Sequence, residues 1–291
     1  MQARDSADGK DSEAWVLTSR VGPVARIHLN RGDARNPLGG EMVQALSMAV
    51  DQASSQSGVR AIVLTAAGPA FSAGGNLGNL GDRLAATAGP DGRDPIAAGN
   101  RRYGEFLTQL VSVPQVTVAC IQGAAMGGGA GLACAVDIAI GSPEAKFGFP
   151  EAAIGLVPGQ ILPFVAARLG LPAARRLVLT GRRIDAAEAH RIGLLDYVAD
   201  SPQALGALAR QVLESVVATA PQASACTKRM LGRLPVAPLQ SSGALQGYLD
   251  EAAELFARQM RSEAMEGVSA AKEKRPAQWN AAGELAALDL A

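Results

Sequence analysis

The chain has 291 residues, and its 27 Lys plus Arg are balanced by 27 Asp plus Glu. A neutral chain lacks the positive field that nucleic-acid backbones or anionic membranes select for, so neither is an expected partner. With 48% hydrophobic and 19% charged residues it carries enough apolar material for a large core, which excludes disorder over most of its length.

In chain order, residues 1–13 are polar and acidic where a secretory leader would be basic and then apolar, and they read as a disordered tail. The run Val24 to Asn30 alternates as a strand, with Ala25, Ile27 and Leu29 on one face and Val24, Arg26 and His28 on the other. A turn-rich RGDARNP precedes a helical stripe of Met42, Leu46, Ala49, Val50 and Ala53. Val59 to Thr65 scarcely alternates, as expected of a strand covered on both faces, and Gln115 to Ile121 and Val136 to Gly141 repeat that character. Between them, Gly78 to Asn100 clusters Gly, Asp and Pro without periodicity and reads largely as a mobile surface loop. The last third turns helical: Pro172 in a first turn with Gly181 as stop, a cap formed by Asp185 with Glu188, a helix start at Ser201-Pro202, and an amphipathic stretch from Leu239 to Met265. Strands alternating with helices give an α/β class.

Three scattered cysteines make no disulfide framework, and neither they nor two histidines have metal-ligand spacing, so no metal is expected. The apolar stretch Val116 to Gly141 is broken by Gln122 and Asp137 and is not a membrane span. A soluble, cytoplasmic protein is expected.

Two glycine-rich turns follow buried strands, where α/β proteins place their chemistry. The first, GPAFSAGGNL (residues 68–77), leaves backbone N–H groups at Ala73, Gly74 and Gly75 unshielded. The second, in Gln122 to Asp137, runs Gly127, Gly128 and Gly129 into an apolar helix, whose N-terminus offers free N–H donors and partial positive charge. Plain turn chemistry explains either one alone. Neither has G-x-G-x-x-G spacing, and no GK[ST] follows. AFSAG misses a nucleophile elbow by Ala70, which would make Ser72 a nucleophile with His190 as its base; His190 reads instead as a surface residue at a helix end. Glu151 is a carboxylate inside an apolar run, after Phe147 and Phe149 and before Ala152, Ala153 and Ile154. Desolvation there would raise its pKa and suit it to proton transfer, whereas the plain alternative is a first-turn cap after Pro150.

Together, ARNPLGGEMVQAL, GPAFSAGGNL, QGAAMGGGAGLACAVDIAIGSPEAKFGFPEAAIGLVPG and LVLTGRRIDAAEAHRIGLLDYV resemble, in consistent order over about residues 15–280, the crotonase (enoyl-CoA hydratase/isomerase) family. The resemblance implies a spiral of ββα repeats over 14–200 and a helical C-terminal oligomerisation region over 201–291, in trimers often paired into hexamers. It implies an acyl-CoA thioester substrate and no cofactor beyond the coenzyme A that substrate carries. By motif the two N–H donors of an oxyanion hole fall on Gly75 and Gly128 and the acid/base carboxylate on Glu151. The substrate-binding set it implies is Ala34, Arg35, Asn36, Ala73, Gly74, Asn76, Leu77, Gly127, Gly131, Phe147 and Phe149. Two positions depart from the family: Asn76 replaces an Asp, and Gly131 stands where two-glutamate hydratases carry their first Glu. Gly131 is expected to free volume beside Glu151 for a bulky acyl chain, as in the similar isohexenylglutaconyl-CoA hydratase branch. The expected activity is hydration of a 2-enoyl-CoA. Its rivals are Δ3,Δ2-enoyl-CoA isomerisation, a serine hydrolase using Ser72, and acyl-CoA binding without catalysis.

Overall fold

The computed structural model describes residues 14–75, 94–234, 256, 259 and 262–290. The N-terminal tail, Asn76 and Leu77, residues 78–93 of the expected loop and most of the 239–265 stretch lie outside them. The chain begins with strands β1 (Val16–Val21) and β2 (Val24–Leu29), then helix α1 (Gly40–Ser55). Three strand pairs follow: β3 (Ala61–Ala66) and β4 (Ala70–Ser72), then helix α2 (Pro95–Ser112); β5 (Val116–Ile121) and β6 (Ala124–Met126), then α3 (Gly128–Ala135); β7 (Ile138–Gly141) and β8 (Lys146–Gly148), then a 3-10 turn (Glu151–Ile154) and α4 (Leu162–Thr180). After β9 (Arg183–Asp185), α5 (Ala186–Arg191) and β10 (Tyr197–Val198), the described chain is helical, with α6 (Leu205–Val217), α7 (Pro221–Leu231) and α8 (Glu263–Lys272).

Each pair sends its first strand to one sheet and its second to another. The larger sheet is ordered β1-β2-β3-β5-β7-β10, antiparallel only at the β1–β2 hairpin; the smaller is β4-β6-β8-β9, antiparallel only at β8–β9. The corners between the sheets stack on one another. The Gln122 amide donates to the Ala66 and Gly68 carbonyls (2.8 and 3.0 Å), and the Ser142 hydroxyl donates to the Gln122 carbonyl (2.8 Å). This is the expected ββα spiral.

Both faces of the large sheet are covered, which explains the unbroken apolar runs of β3, β5 and β7. One core holds Ala25, Ile27 and Leu29 with the α1 stripe, whose buried residues are Met42, Val43, Leu46, Ala49, Val50 and Ala53. The other holds Val24, Val63, Val118 and Ile140 under α6 and Leu285. Local chemistry sets the helix ends. Asp94 accepts the Ile96 N–H ahead of Pro95, Asp185 accepts the Glu188 N–H, and α4 breaks at Gly170 (φ 70°, ψ 158°) before restarting at Pro172 and stopping at left-handed Gly181. One expectation needs correction here: residues 95–100 belong to α2 rather than to the aperiodic loop, because the Asp94–Pro95 start and the inward Phe106, Leu107 and Leu110 make a helix. Among the described residues, no helix is long and apolar enough to cross a membrane.

Candidate active site

Parallel pairing of β4, β6 and β8 brings the carboxyl ends of three successive repeats side by side, and each ends in a turn that the sequence singled out. The first turn touches the second at Gly74. Its φ of 87° and a Cβ position only 2.4 Å from the Met126 carbonyl oxygen admit no side chain. Gly74 is further held by the Leu38 N–H, which donates to its carbonyl at 2.8 Å, and by the Ser72 hydroxyl, which accepts its N–H at 3.1 Å. The second turn touches the third at Gly127 (φ 52°), whose N–H donates to the Gly148 carbonyl at 2.8 Å and whose Cβ position lies 2.8 Å from Glu151 Oε1. The fold thus collects Gly74, Gly75, Gly127, Gly128 and Glu151 in one place. Among the described residues, nothing lies within 4 Å of a Cβ placed on Gly75. Gly128 is the first residue of α3, so its N–H has no acceptor within the helix.

Glu151 opens the 3-10 turn after Pro150 and is half-buried, and its Oε2 is a buried atom without a hydrogen-bond partner among the described residues. Desolvation pushes its pKa above the ordinary carboxylate value, opposed by a smaller backbone hydrogen bond. A carboxylate so tuned can take and return a proton, while backbone N–H groups can hold the oxygen on which charge develops. Among the described residues no group of three His, Cys, Asp or Glu could hold a metal ion.

The segment 34–36 does lie against the first turn, since the Ala73 N–H donates to the Arg35 carbonyl at 2.8 Å. Ala34, Arg35 and Ala73 are exposed there.

Four of the residues expected to bind substrate are packed into the protein. The Asn36 side chain is fully buried, accepting the Arg31 N–H and donating to the Ala67 and Ala70 carbonyls, so it braces the loop and is not free for a ligand. Phe147 and Phe149 are fully buried core residues beneath the site, since β8 turns them inward. Gly131 frees no volume: its Cβ position lies 2.4 Å from Ile161 Cγ2 and 2.8 Å from Ile161 Cβ, so that side chain already fills the place. The Ser72 alternative fails on similar grounds. Ser72 is fully buried, with its hydroxyl donating to the Asn36 carbonyl at 2.7 Å, and His190 is exposed with Nδ1 on the Leu195 carbonyl.

One residue beside the site was missed. Tyr103 of α2 donates its hydroxyl to the Gly128 carbonyl at 2.5 Å. The spacing Tyr103, Phe106, Leu107, Leu110 is a helical stripe that could have exposed it, had the preceding loop not been extended to Asn100.

Comparison with known proteins agrees with this fold. Residues 20–282 match the family model described as enoyl-CoA hydratase/isomerase. A crystal structure of an enoyl-CoA hydratase/isomerase from Marinobacter aquaeolei superposes with a TM-score of 0.84 at 40% identity, covering 91% of this chain and 99% of that one. Pseudomonas aeruginosa AtuE gives 0.83 at 36% identity, with the same coverage. The short-chain-enoyl-CoA hydratase of Clostridium acetobutylicum is 31% identical over 220 residues, 75% of this chain and 81% of the relative. The chain belongs to the enoyl-CoA hydratase/isomerase family.

Proposed function

We propose that this protein hydrates a 2-enoyl-CoA thioester, or catalyses the reverse dehydration, with Glu151 as its single acid/base group. The observation that carries this reading is the Glu151 carboxylate, set against Gly127 at the head of α3 with one oxygen unpartnered among the described residues. The thioester oxygen would accept the N–H groups of Gly75 and Gly128, and losing one such donor typically costs about 2.7–4 kcal/mol of transition-state stabilisation. Ionised Glu151 takes a proton from water as its oxygen bonds to C3, and returns that proton to C2. Nothing is oxidised or reduced, so the reading needs no redox group, and coenzyme A enters only as part of the substrate.

A specific observation keeps the Δ3,Δ2 isomerase reading in view. Ile161 occupies the space over Gly131, so no second carboxylate can extend from that position. A lone carboxylate can carry a proton between C4 and C2 without water. The same packing removes the structural support for a bulky acyl chain.

Incubating the protein with linear and branched enoyl-CoAs and following products by mass separates the readings: hydration adds one water and isomerisation adds nothing. Thioester binding without any product, unchanged in Glu151→Gln, would make the protein a binder only. We further propose a homotrimer or hexamer, supported by the exposed Ile154, Leu156, Val157 and Leu179 and tested by sedimentation, and a cytoplasmic location, tested by cell fractionation.

A further inference from the structure

Gly128 is placed to offer its N–H, yet nothing in the residue itself sets where that N–H points. It has no side chain, it begins a helix, and it follows a left-handed glycine, so both flanking peptide planes are free to tilt unless neighbours hold them. On one side the hold is backbone: the Gly127 N–H donates to Gly148, and the Gly127 carbonyl accepts the Gly131 N–H at 2.9 Å. Those bonds hold the plane that carries the Gly128 N–H; the following plane, which carries the Gly128 carbonyl, is held by Tyr103. Its hydroxyl donates to the Gly128 carbonyl at 2.5 Å, and its ring edge lies 3.4–3.5 Å from the Cβ position of Gly128. Leu38 Cδ1, at 3.2 Å, closes the remaining side. The Tyr103 ring is itself fixed, tilted on Phe106 at 6.2 Å between centroids and packed against the main core.

We propose that Tyr103 is a positioning residue, which by pinning the Gly128 carbonyl and covering its Cα fixes the Gly128 Cα, and so keeps in place the adjoining 127–128 peptide whose N–H the thioester oxygen would accept. The proposal rests on the thioester reading of the site above. Tyr103 and Glu151 then flank the 127–128 turn from two sides, one fixing the donor and the other moving the proton. Burial, and then the nearby charges of Cys134 and Glu151, hold the phenol well above its ordinary pKa, so it stays a donor throughout the working pH range.

The test uses 4-(dimethylamino)cinnamoyl-CoA, an unsaturated thioester whose absorption moves to the red as its carbonyl oxygen is polarised. Wild type should bind it with a clear red shift. Tyr103→Phe keeps the ring and the packing but loses the donor. It should bind with similar affinity and a smaller shift, and kcat for a turned-over enoyl-CoA should fall about tenfold at little-changed KM. A residue that served packing alone would lower thermal stability and leave the shift intact. A full shift in Tyr103→Phe, or no shift in wild type, therefore overturns the proposal. A shift that Tyr103→Phe diminishes, in a protein that converts no enoyl-CoA, upholds the positioning role while removing the activity. Should Tyr103→Phe fail to fold, a ring-fluorinated tyrosine at 103 is a stronger donor of nearly the same shape. A larger shift than wild type supports the proposal, and an unchanged one overturns it.

Discussion

The two glycine turns look alike in sequence, each a glycine cluster after a buried strand, but their glycines serve different ends. In the second turn every glycine faces a different neighbour: Gly127 meets the Glu151 carboxylate, Gly128 meets Leu38 and Tyr103, Gly129 meets Ser72, and Gly131 meets Ile161. That turn is a packing hub, where small residues let four elements converge on the head of one short helix. In the first turn Gly74 is likewise closed by Met126, but its neighbour Gly75 meets none of the described residues. Packing among the described residues does not explain that glycine. The contrast separates glycines that build the site from the one that leaves it accessible.

The largest effect should come from the group that both turns frame. Glu151→Gln keeps the size of the side chain but cannot exchange a proton, so turnover should fall by roughly 10²–10⁴-fold while thioester binding persists. Near-wild-type rates would reduce Glu151 to a helix cap. The same variant carries a pH signature. Because burial raises the folded-state pKa of Glu151, the stability linked to its protonation is full below the ordinary value of 4.5 and is lost as pH rises through the folded value. Gln cannot ionise. Glu151→Gln should therefore melt higher than wild type near neutral pH, with the gap closing as pH falls toward 4.5. A gap that widens in acid would show that the ionised carboxylate is stabilised in the fold.

Next come the closed glycines. Gly74→Ala sets a methyl 2.4 Å from the Met126 carbonyl at a φ of 87°. Gly131→Ala drives one into Ile161 Cβ as well as Cγ2, which rotamer change alone cannot relieve. Each should cost about 1–3 kcal/mol of stability in denaturant unfolding. Gly131→Glu should therefore lose activity on short and on branched enoyl-CoAs alike. A selective gain on the short substrate would restore the idea of a preformed acyl space at this position.

Ser72 belongs to the same framework. Ser72→Ala leaves the Gly74 N–H and the Asn36 carbonyl without their partner and should cost about 1–3 kcal/mol in stability. The folded fraction should keep its turnover, and wild type should resist a fluorophosphonate probe. Labelling at Ser72 would reopen the hydrolase reading.

How much of this was legible beforehand follows from range. The α1 stripe, the buried strands and the caps at Asp185 and Gly181 are written in local periodicity and turn chemistry, and the structure keeps them. The meeting of Gly74, Gly127 and Glu151 was expected only through family resemblance, because parallel pairing of β4, β6 and β8 has no local sequence mark. Gly131 shows what resemblance leaves out. That Glu151 and Gly131 share a region was legible, but that Ile161, thirty residues on, fills the gap is a long-range packing fact. The burial of Asn36, Phe147 and Phe149 was hidden for the same reason: nearness along the chain to a functional motif does not say which way a side chain faces. Tyr103 was hidden by an error of boundary, with a loop read six residues too far into a helix.

The smallest effect on stability, and the one that tests the opening contrast most directly, belongs to Gly75. Its φ is not in the left-handed region and no described residue lies near its Cβ position, so Gly75→Ala meets no backbone strain and no clash with them. Replacing a glycine in an allowed conformation reduces the freedom of the unfolded chain, and the variant should be as stable as wild type or more so by about 0.4–1 kcal/mol. Its enzymology should differ from its stability. If the space beside it is where the thioester seats, the added methyl crowds the carbonyl, and KM for an enoyl-CoA should rise in a protein that melts no lower than wild type. A Gly75→Ala that loses stability as Gly74→Ala does would show that both glycines of the first turn serve packing. A Gly75→Ala with unchanged stability and unchanged KM would place the thioester elsewhere along the three strand ends.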